Sequence, residues 1–168
     1  MDYEPRIVDL YDEDNPDGPD HDFYRALASD ASQIIDLGCG TGILTVTLAG
    51  SKEGSEQSAV VGIDPSPVML DYARSRPGAE NVTWVQGDSR NIPLREVDLA
   101  IMSGNVAQHI PDSDWRRTLT DLRQSMEIGG IISFESRNSE ARAWESWSAE
   151  EKASRMTQHG ERAEWTEI

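Results

Sequence analysis

The sequence has little cysteine, no long apolar run and no basic start. Cys39 is the single cysteine among 168 residues, so no disulfide can form within the chain and a reducing compartment is expected. No apolar stretch approaches the roughly 18 residues of a membrane-spanning helix. The acidic N-terminus, MDYEPRIVDLYDEDNPD, lacks the basic-then-apolar order of a signal peptide. These features predict one cytoplasmic domain with no membrane partner.

Basic residues are also scarce. The chain has 15 Lys and Arg against 31 Asp and Glu, a formal net charge of −16. Such a surface repels the phosphate backbone, so a nucleic-acid partner is not expected. Small molecules and proteins both remain as substrates on charge alone.

Strand-like and helix-like segments alternate through the middle of the chain. Predicted strands are Gln33–Leu37, Ala59–Ile63, Val82–Val85, Val97–Met102 and Ile131–Phe134. Predicted helices run over about Gly42–Ala49, from Ser66 to the residues before Gly78, and over about Asp112–Met126. This alternation predicts a parallel sheet with helices on both faces. Ligands of such sheets bind beyond the carboxyl ends of the strands.

The two ends of the chain are less regular. Residues 1–20 predict a loop or lid with a short turn around Ile7–Tyr11, followed by a helix over about Asp20–Ser29. The tail predicts a helix over Ser139–Trp147, another from Ser148 to about Gln158, and an edge strand over Arg162–Ile168. We therefore expect a lid segment and helix over 1–30, a core over 31–138, and a helical connection with the start of a sixth strand over 139–168.

The glycine-rich stretch DLGCGTG, residues 36–42, lies between a predicted buried strand and a helix. Glycines at every second position let the backbone turn sharply and approach a ligand closely. A dinucleotide loop requires G-x-G-x-x-G, but Ile43 stands three residues after Gly40. The carboxylate of Asp36 would repel a pyrophosphate and attract a cation, such as the ammonium and sulfonium of S-adenosylmethionine (SAM). The loop therefore favours SAM over NAD.

This motif resembles the first signature of class I SAM-dependent methyltransferases. The resemblance assigns Asp36, Gly38 and Gly40 to the cofactor, and it implies a Rossmann-like three-layer α/β sandwich. The implied sheet is mostly parallel, with strand order 3-2-1-4-5 and strand 6 at the edge. The family's seventh strand has no counterpart in the sequence, so strand 7 is predicted to be missing. An unfilled edge beside strand 5 exposes backbone groups and predicts a homodimer through that edge.

Two further acidic motifs follow predicted strands. Asp64 ends strand 2 in VVGIDPSPVML and suits vicinal ribose hydroxyls, although an aspartate there also suits a helix N-cap. By resemblance, Asp64 holds the ribose, and the residues from Pro65 to Met69 lie beside the adenine. Asp88 and Ser89 follow strand 3 and resemble the family's adenine-binding G-D-[ASV] element, although Gly-Asp-Ser alone is an ordinary turn.

Strand 4 ends in a loop that resembles the family's fourth motif, which contacts the methionine part of SAM and faces the acceptor. Ser103 and Asn105 are the candidate residues there. His109 suits a general base, but capping of the loop before Pro111 is the more common role for such a residue, and no catalytic residue is assigned. The scattered histidines and lone cysteine indicate no metal site.

The predicted activity is methyl transfer from SAM to a small-molecule acceptor, with S-adenosylhomocysteine as the product. Two alternatives remain at this point. One is a SAM-binding regulatory module that does not methylate. The other is an NAD-dependent oxidoreductase, which Ile43 and Asp36 disfavour.

Overall fold

The computed structural model describes residues 4–50, 58–93, 95–142, 145 and 153–164. The chain forms two compact units that meet in sequence between Ser136 and Arg137. The first unit contains a five-stranded sheet, and the second contains a two-stranded sheet. No helix among the described residues is long and apolar enough to cross a membrane.

The sheet of the first unit is wholly parallel, with the order β3-β2-β1-β4-β5. Its strands are β1 (Gln33–Leu37), β2 (Ala59–Asp64), β3 (Val82–Gln86), β4 (Val97–Met102) and β5 (Met126–Phe134). The predicted fold class and the order of the five strands are confirmed.

Five α-helices accompany this sheet: α1 (Pro5–Asp14), α2 (Pro19–Leu27), α3 (Thr45–Ala49), α4 (Pro67–Arg74) and α5 (Asp112–Ser125). Three of them, α1, α2 and α4, begin at a proline, whose missing N–H costs nothing in the first turn. Ser66 caps α4, because its hydroxyl oxygen accepts the N–H of Met69 at 3.1 Å.

Side chains on both faces of the central strands are buried. Along β1, Ile34 packs with Leu48 and Leu99 in one apolar cluster. Its neighbour Ile35 packs with Leu122 of α5 in the other cluster. This two-sided burial explains why β1, β2 and β4 read as almost continuous apolar runs.

Two predictions for the first unit were wrong in detail. Residues 5–14, predicted to be loop with a short turn, form the full helix α1, because Val8 and Leu10 bury one of its faces. Strand β5 begins at Met126 rather than Ile131. Its early part takes in the glycines that were expected to separate helix from strand, with Gly129 at φ +97°.

The second unit differs more from the prediction. Strands β6 (Ala153–Thr157) and β7 (Gly160–Glu164) pair antiparallel as a sheet of their own. The expected helix up to Gln158, the placing of strand 6 at the edge of the main sheet and the missing strand 7 were therefore wrong. Gly160 (φ +108°) permits the tight turn, and the Thr157 hydroxyl donates to the Gly160 carbonyl at 2.9 Å. Cross-strand pairing thus outweighs the local helix propensity.

The other predictions for the tail are only partly covered by the structure. The expected helix over Ser139–Trp147 is a short 3-10 turn at Ser139–Ala141. Its residues 143, 144, 146 and 147 lie outside the described residues, as do 148–152 and 165–168.

Candidate functional site

A cavity of about 560 Å³ opens at the carboxyl ends of β1, β2, β3 and β4. Its size falls in the range of roughly 300–1,000 Å³ that is usual for small-molecule sites. The loops after the four strands form most of its wall, and helices α1 and α5 complete it. The strand-end loops predicted from the sequence therefore do meet around one space.

The glycine loop shapes this cavity in two ways. Gly38 has φ +80°, and a Cβ there would lie 2.5 Å from Cγ2 of Val106, so the backbone packs directly against that side chain. Gly40 also has a positive φ, +52°, but a Cβ there would meet no atom within 4 Å. Gly38 is thus required for packing, whereas Gly40 leaves open space in the cavity wall.

Asp36 lies two residues before Gly38 and is buried. Thr45 donates its hydroxyl hydrogen to Oδ2 of Asp36 at 2.6 Å. The other oxygen, Oδ1, is buried and has no hydrogen-bond partner among the described groups. Burial raises the pKa of Asp36 from 3.8 to about 6; the Thr45 hydrogen bond opposes the shift and the nearby Asp64 adds to it. A buried carboxylate oxygen without a partner suits a cationic ligand group.

Asp64 at the end of β2 organises the loop opposite. Its Oδ2 accepts the N–H of Gly40 at 2.9 Å, and its Oδ1 accepts the N–H of Ser66 at 2.8 Å. Ser66, rather than Asp64, caps α4. A carboxylate has about four lone-pair directions, so an aspartate can accept hydrogen bonds from the backbone and from ligand hydroxyl groups at the same time.

Asp88 and Ser89 line the cavity after β3. The Asp88 carboxylate accepts hydrogen bonds from the backbone and guanidinium of Arg90, and the side-chain bond from Arg90 lowers the pKa of Asp88. Ser89 is buried, and its hydroxyl donates to Oδ2 of Asp121 at 2.7 Å. This bond connects the strand-end loop to α5.

The loop after β4 has a left-handed backbone at two successive residues, Gly104 and Asn105, each with φ +61°. The N–H of Asn105 donates to Oε1 of Glu135, which follows β5, at 3.0 Å. Gly104 and Val106 line the cavity, and so does the exposed side chain of His109.

The structure brings most of the predicted site residues together. Seven of the ten line the cavity: Gly38, Gly40, Asp64, Pro65, Met69, Asp88 and Ser89. The other three, Asp36, Ser103 and Asn105, are not among the lining residues. The cavity also uses residues that the sequence analysis did not select: Tyr11 of α1, and Asp114, Arg117 and Thr118 of α5. The spacing of the α5 residues by three and four was a usable signal for one helix face.

Cys39 in the glycine loop is buried. Burial, together with the charges of Asp36 and Asp64, raises the pKa of its thiol. A thiol held in this protonated form is a poor nucleophile.

Comparison with known proteins gives this geometry its context. Residues 34–130 match the methyltransferase domain family. The trans-aconitate 2-methyltransferase of Azoarcus sp. is 36% identical over 112 residues, which cover 66% of this chain and 41% of that protein. The carboxy-S-adenosyl-L-methionine synthase of Chromohalobacter salexigens is 30% identical over 105 residues, 60% of this chain and 38% of that protein.

The fold is also similar to that of a solved methyltransferase structure. The SAM-dependent methyltransferase from Thiobacillus denitrificans in complex with S-adenosyl-L-homocysteine superimposes with a TM-score of 0.58 at 25% identity, covering 86% of this chain and 63% of that one. The fold is thus that of a class I SAM-dependent methyltransferase domain. The chain belongs to the methyltransferase domain family. It spans about two fifths of the length of the two relatives named above.

Proposed function

We propose that the protein is a SAM-dependent methyltransferase acting on a small molecule. The observation that carries this proposal is the buried Oδ1 of Asp36, which has no hydrogen-bond partner among the residues that the structure describes. It lies next to a cavity lined by Asp64 and Asp88 from two further strand ends. One cationic ligand with a ribose and an adenine would use all three carboxylates. NAD has no ammonium group to offer Asp36, since its only cation is the nicotinamide ring. Its negatively charged pyrophosphate would also lie close to the carboxylates of the site, which would repel it.

Each part of the cofactor has a proposed partner. Asp36, Gly38 and Gly40 would hold the methionine part, with the ammonium group satisfying Oδ1 of Asp36. Asp64 would accept the ribose hydroxyls, and Pro65 and Met69 would lie along the adenine. Asp88 and Ser89 would bind the polar edge of the adenine. Ser103 and Asn105 would contact the methionine part of SAM. They lie in the loop after β4, which the hydrogen bond from Asn105 to Glu135 holds in place.

SAM, when bound, supplies a methyl group already activated by a positive sulfur. The residues of this chain would therefore act mainly by position: Gly40 leaves room for the ligand and Asp64 fixes the loop around it. Val106 and Ile110 give the wall near Gly104 an apolar character, which excludes water. We assign no general base, because the side chain of His109 is exposed to solvent.

The decisive experiment is calorimetric titration of the protein with SAM and, separately, with NAD. Heat from SAM and none from NAD supports the proposal, and the reverse result overturns it. Measurement of S-adenosylhomocysteine release across a panel of small hydroxyl, amine, thiol and carboxylate acceptors then tests turnover. Binding without turnover on any acceptor would leave the regulatory-module alternative in its place.

We also propose a homodimer formed through β5, the last strand of the main sheet. Ile131 and Phe134 on this strand are about half exposed, and Ile128 is almost fully exposed. A second copy pairing along the same strand would cover these apolar side chains and satisfy the open backbone groups. We place the protein in the cytoplasm, where SAM and a reduced Cys39 would be found.

A further inference from the structure

One carboxylate attaches helix α1 to the wall of the cavity. Oδ1 of Asp12 accepts the hydroxyl hydrogen of Thr41 at 2.7 Å, and Oδ2 accepts a hydrogen bond from the guanidinium of Arg76. Thr41 is a buried residue of the glycine loop, and Arg76 lies just beyond the end of α4. Asp12 therefore connects three segments that are distant in sequence but adjacent around the cofactor cavity.

Further contacts hold the Arg76 guanidinium in place beside Asp12. Nε of Arg76 donates to the carbonyl oxygen of Thr41 at 2.5 Å, and its guanidinium lies 5.2 Å from the centre of the Tyr72 ring. The side chains of Arg76 and Asp12 are only 17% and 22% exposed. The Asp12–Arg76 ion pair is shielded, and each partner makes a further hydrogen bond to Thr41, so it contributes more than an exposed surface pair.

Helix α2 is held independently of this contact. Its Tyr24 is buried in the core, and its Arg25 donates to the Thr47 hydroxyl of α3 at 3.0 Å. Asp17, which precedes α2, accepts from His21 at 2.7 Å and from Arg25. Contacts of its own therefore hold the α2 side of the connection. Asn15 is hydrogen-bonded to Tyr11 of α1, so a hinge between the two helices would lie at Asn15 and Pro16, where α1 ends.

Helix α1 also completes the cavity. Tyr11, next to Asp12, lines it, while Val8 and Leu10 bury the apolar face of the helix. Movement of α1 about Asn15 would open the cavity at Tyr11 and break both Asp12 contacts. The burial of Val8 and Leu10 favours the closed position, and Asp12 locks it to the glycine loop.

We propose that Asp12 is the latch of a lid formed by α1, and that the latch sets how long the cofactor product stays bound. Asp12 is a positioning residue in this scheme, since it acts through Thr41 and Arg76. The proposal rests on the proposed function, because it takes the cavity to be the cofactor site. Loss of one charge-assisted contact predicts roughly tenfold faster release of the ligand.

The test is the rate of S-adenosylhomocysteine binding and release on immobilised full chain by surface plasmon resonance. Asp12→Asn should raise the dissociation rate about tenfold, with an association rate that is unchanged or faster. Arg76→Lys keeps the charge but lacks the planar fork with which Arg76 bonds the Thr41 carbonyl and Asp12, so it should act in the same direction. Asp71→Asn is the matched control, since it removes the exposed Asp71–Arg74 pair on α4 and leaves α1 untouched.

The outcomes separate the two proposals. Failure of the wild-type chain to bind S-adenosylhomocysteine overturns the proposed function. Binding by the wild type with unchanged dissociation rates in both Asp12→Asn and Arg76→Lys overturns the latch alone. Weaker binding that arises only from slower association also overturns it. Unfolding midpoints show which variants are folded, and Arg76→Lys keeps the test open if Asp12→Asn does not fold.

Discussion

Thr45 donates its hydroxyl hydrogen to Oδ2 of Asp36 at 2.6 Å, which orients the carboxylate and leaves Oδ1 buried without a described partner. The apo protein thus holds a carboxylate whose ionised form is under-compensated. Burial disfavours the charged form and is the main reason why the pKa of Asp36 is raised to about 6. A bound ammonium group would supply the missing partner.

Asp36→Asn should weaken SAM binding at neutral pH by about tenfold or more, because it removes the charge that faces the ammonium. In the wild type, SAM affinity should fall as pH drops below about 6, where Asp36 takes up its proton. The limiting slope is about tenfold per pH unit. Calorimetry from pH 5 to pH 8 measures both effects. 5′-Methylthioadenosine, which lacks the amino-acid part, is the control ligand and should show neither effect.

The same substitution should stabilise the apo protein at pH 7. The folded-state pKa of Asp36 lies above the ordinary 3.8, so the stability linked to this group is fully present below 3.8 and is lost as pH rises through about 6. Asparagine cannot ionise and avoids that loss, which is of the order of 3 kcal/mol. Thermal unfolding at pH 4 and pH 7 measures it. If the variant is equally destabilised at both pH values, Asp36 is structural and our account of its burial is wrong.

The two glycines should respond differently to alanine. Gly40→Ala should fold, at a strain cost of about 1–2 kcal/mol for its positive φ, and should lose SAM affinity because the methyl group enters open cavity space. Gly38→Ala should lose stability as well, because its Cβ would overlap Val106. Unfolding midpoints and SAM titration separate the two, and Val106→Ala should partly rescue only the Gly38 variant. Equal loss of stability in both variants would contradict this assignment.

Asp64→Asn should weaken SAM and 5′-methylthioadenosine alike. Both ligands contain the ribose, and the amide cannot accept from both Gly40 and Ser66 as the carboxylate does. We expect a loss of about tenfold or more for each ligand. Calorimetry should therefore show that Asp36→Asn weakens SAM alone, whereas Asp64→Asn weakens both SAM and 5′-methylthioadenosine. A loss confined to SAM would show that Asp64 does not hold the ribose.

The proposed dimer predicts that Ile131→Lys yields a monomer, because it places a charge on the β5 interface. Ile7→Lys on α1 is the control, since Ile7 is 45% exposed and Ile131 is 48% exposed. Sedimentation velocity at micromolar concentrations reports the state of each variant. A wild-type chain that sediments as a monomer would remove the interface from consideration.

The parallel sheet could be anticipated because β1, β2 and β4 are buried on both faces, which leaves a continuous apolar signal in the sequence, and the order of its strands followed from the resemblance to the methyltransferase family. The glycine loop was also recognisable from the sequence. Its glycines alternate, and Ile43 stands where a dinucleotide-binding loop requires a glycine, which disfavours NAD as the ligand. The second unit was not readable in this way. Gly160 and the pairing of β6 with β7 overrode a local capping pattern, and short polar strands carry little periodic signal.

The sequence by itself determined which segments form the parallel sheet, the place of the glycine loop, and the carboxylates at the end of β2 and after β3. These features depend on local patterns of burial, turn chemistry and spacing. Only the tertiary structure decided that one oxygen of Asp36 is buried with no partner in the described part of the chain, that Asp12 ties α1 to Thr41 and Arg76, and that α5 completes the cavity wall. These relationships join residues far apart in the chain, and their energies come from burial and exact distance, which no local pattern records.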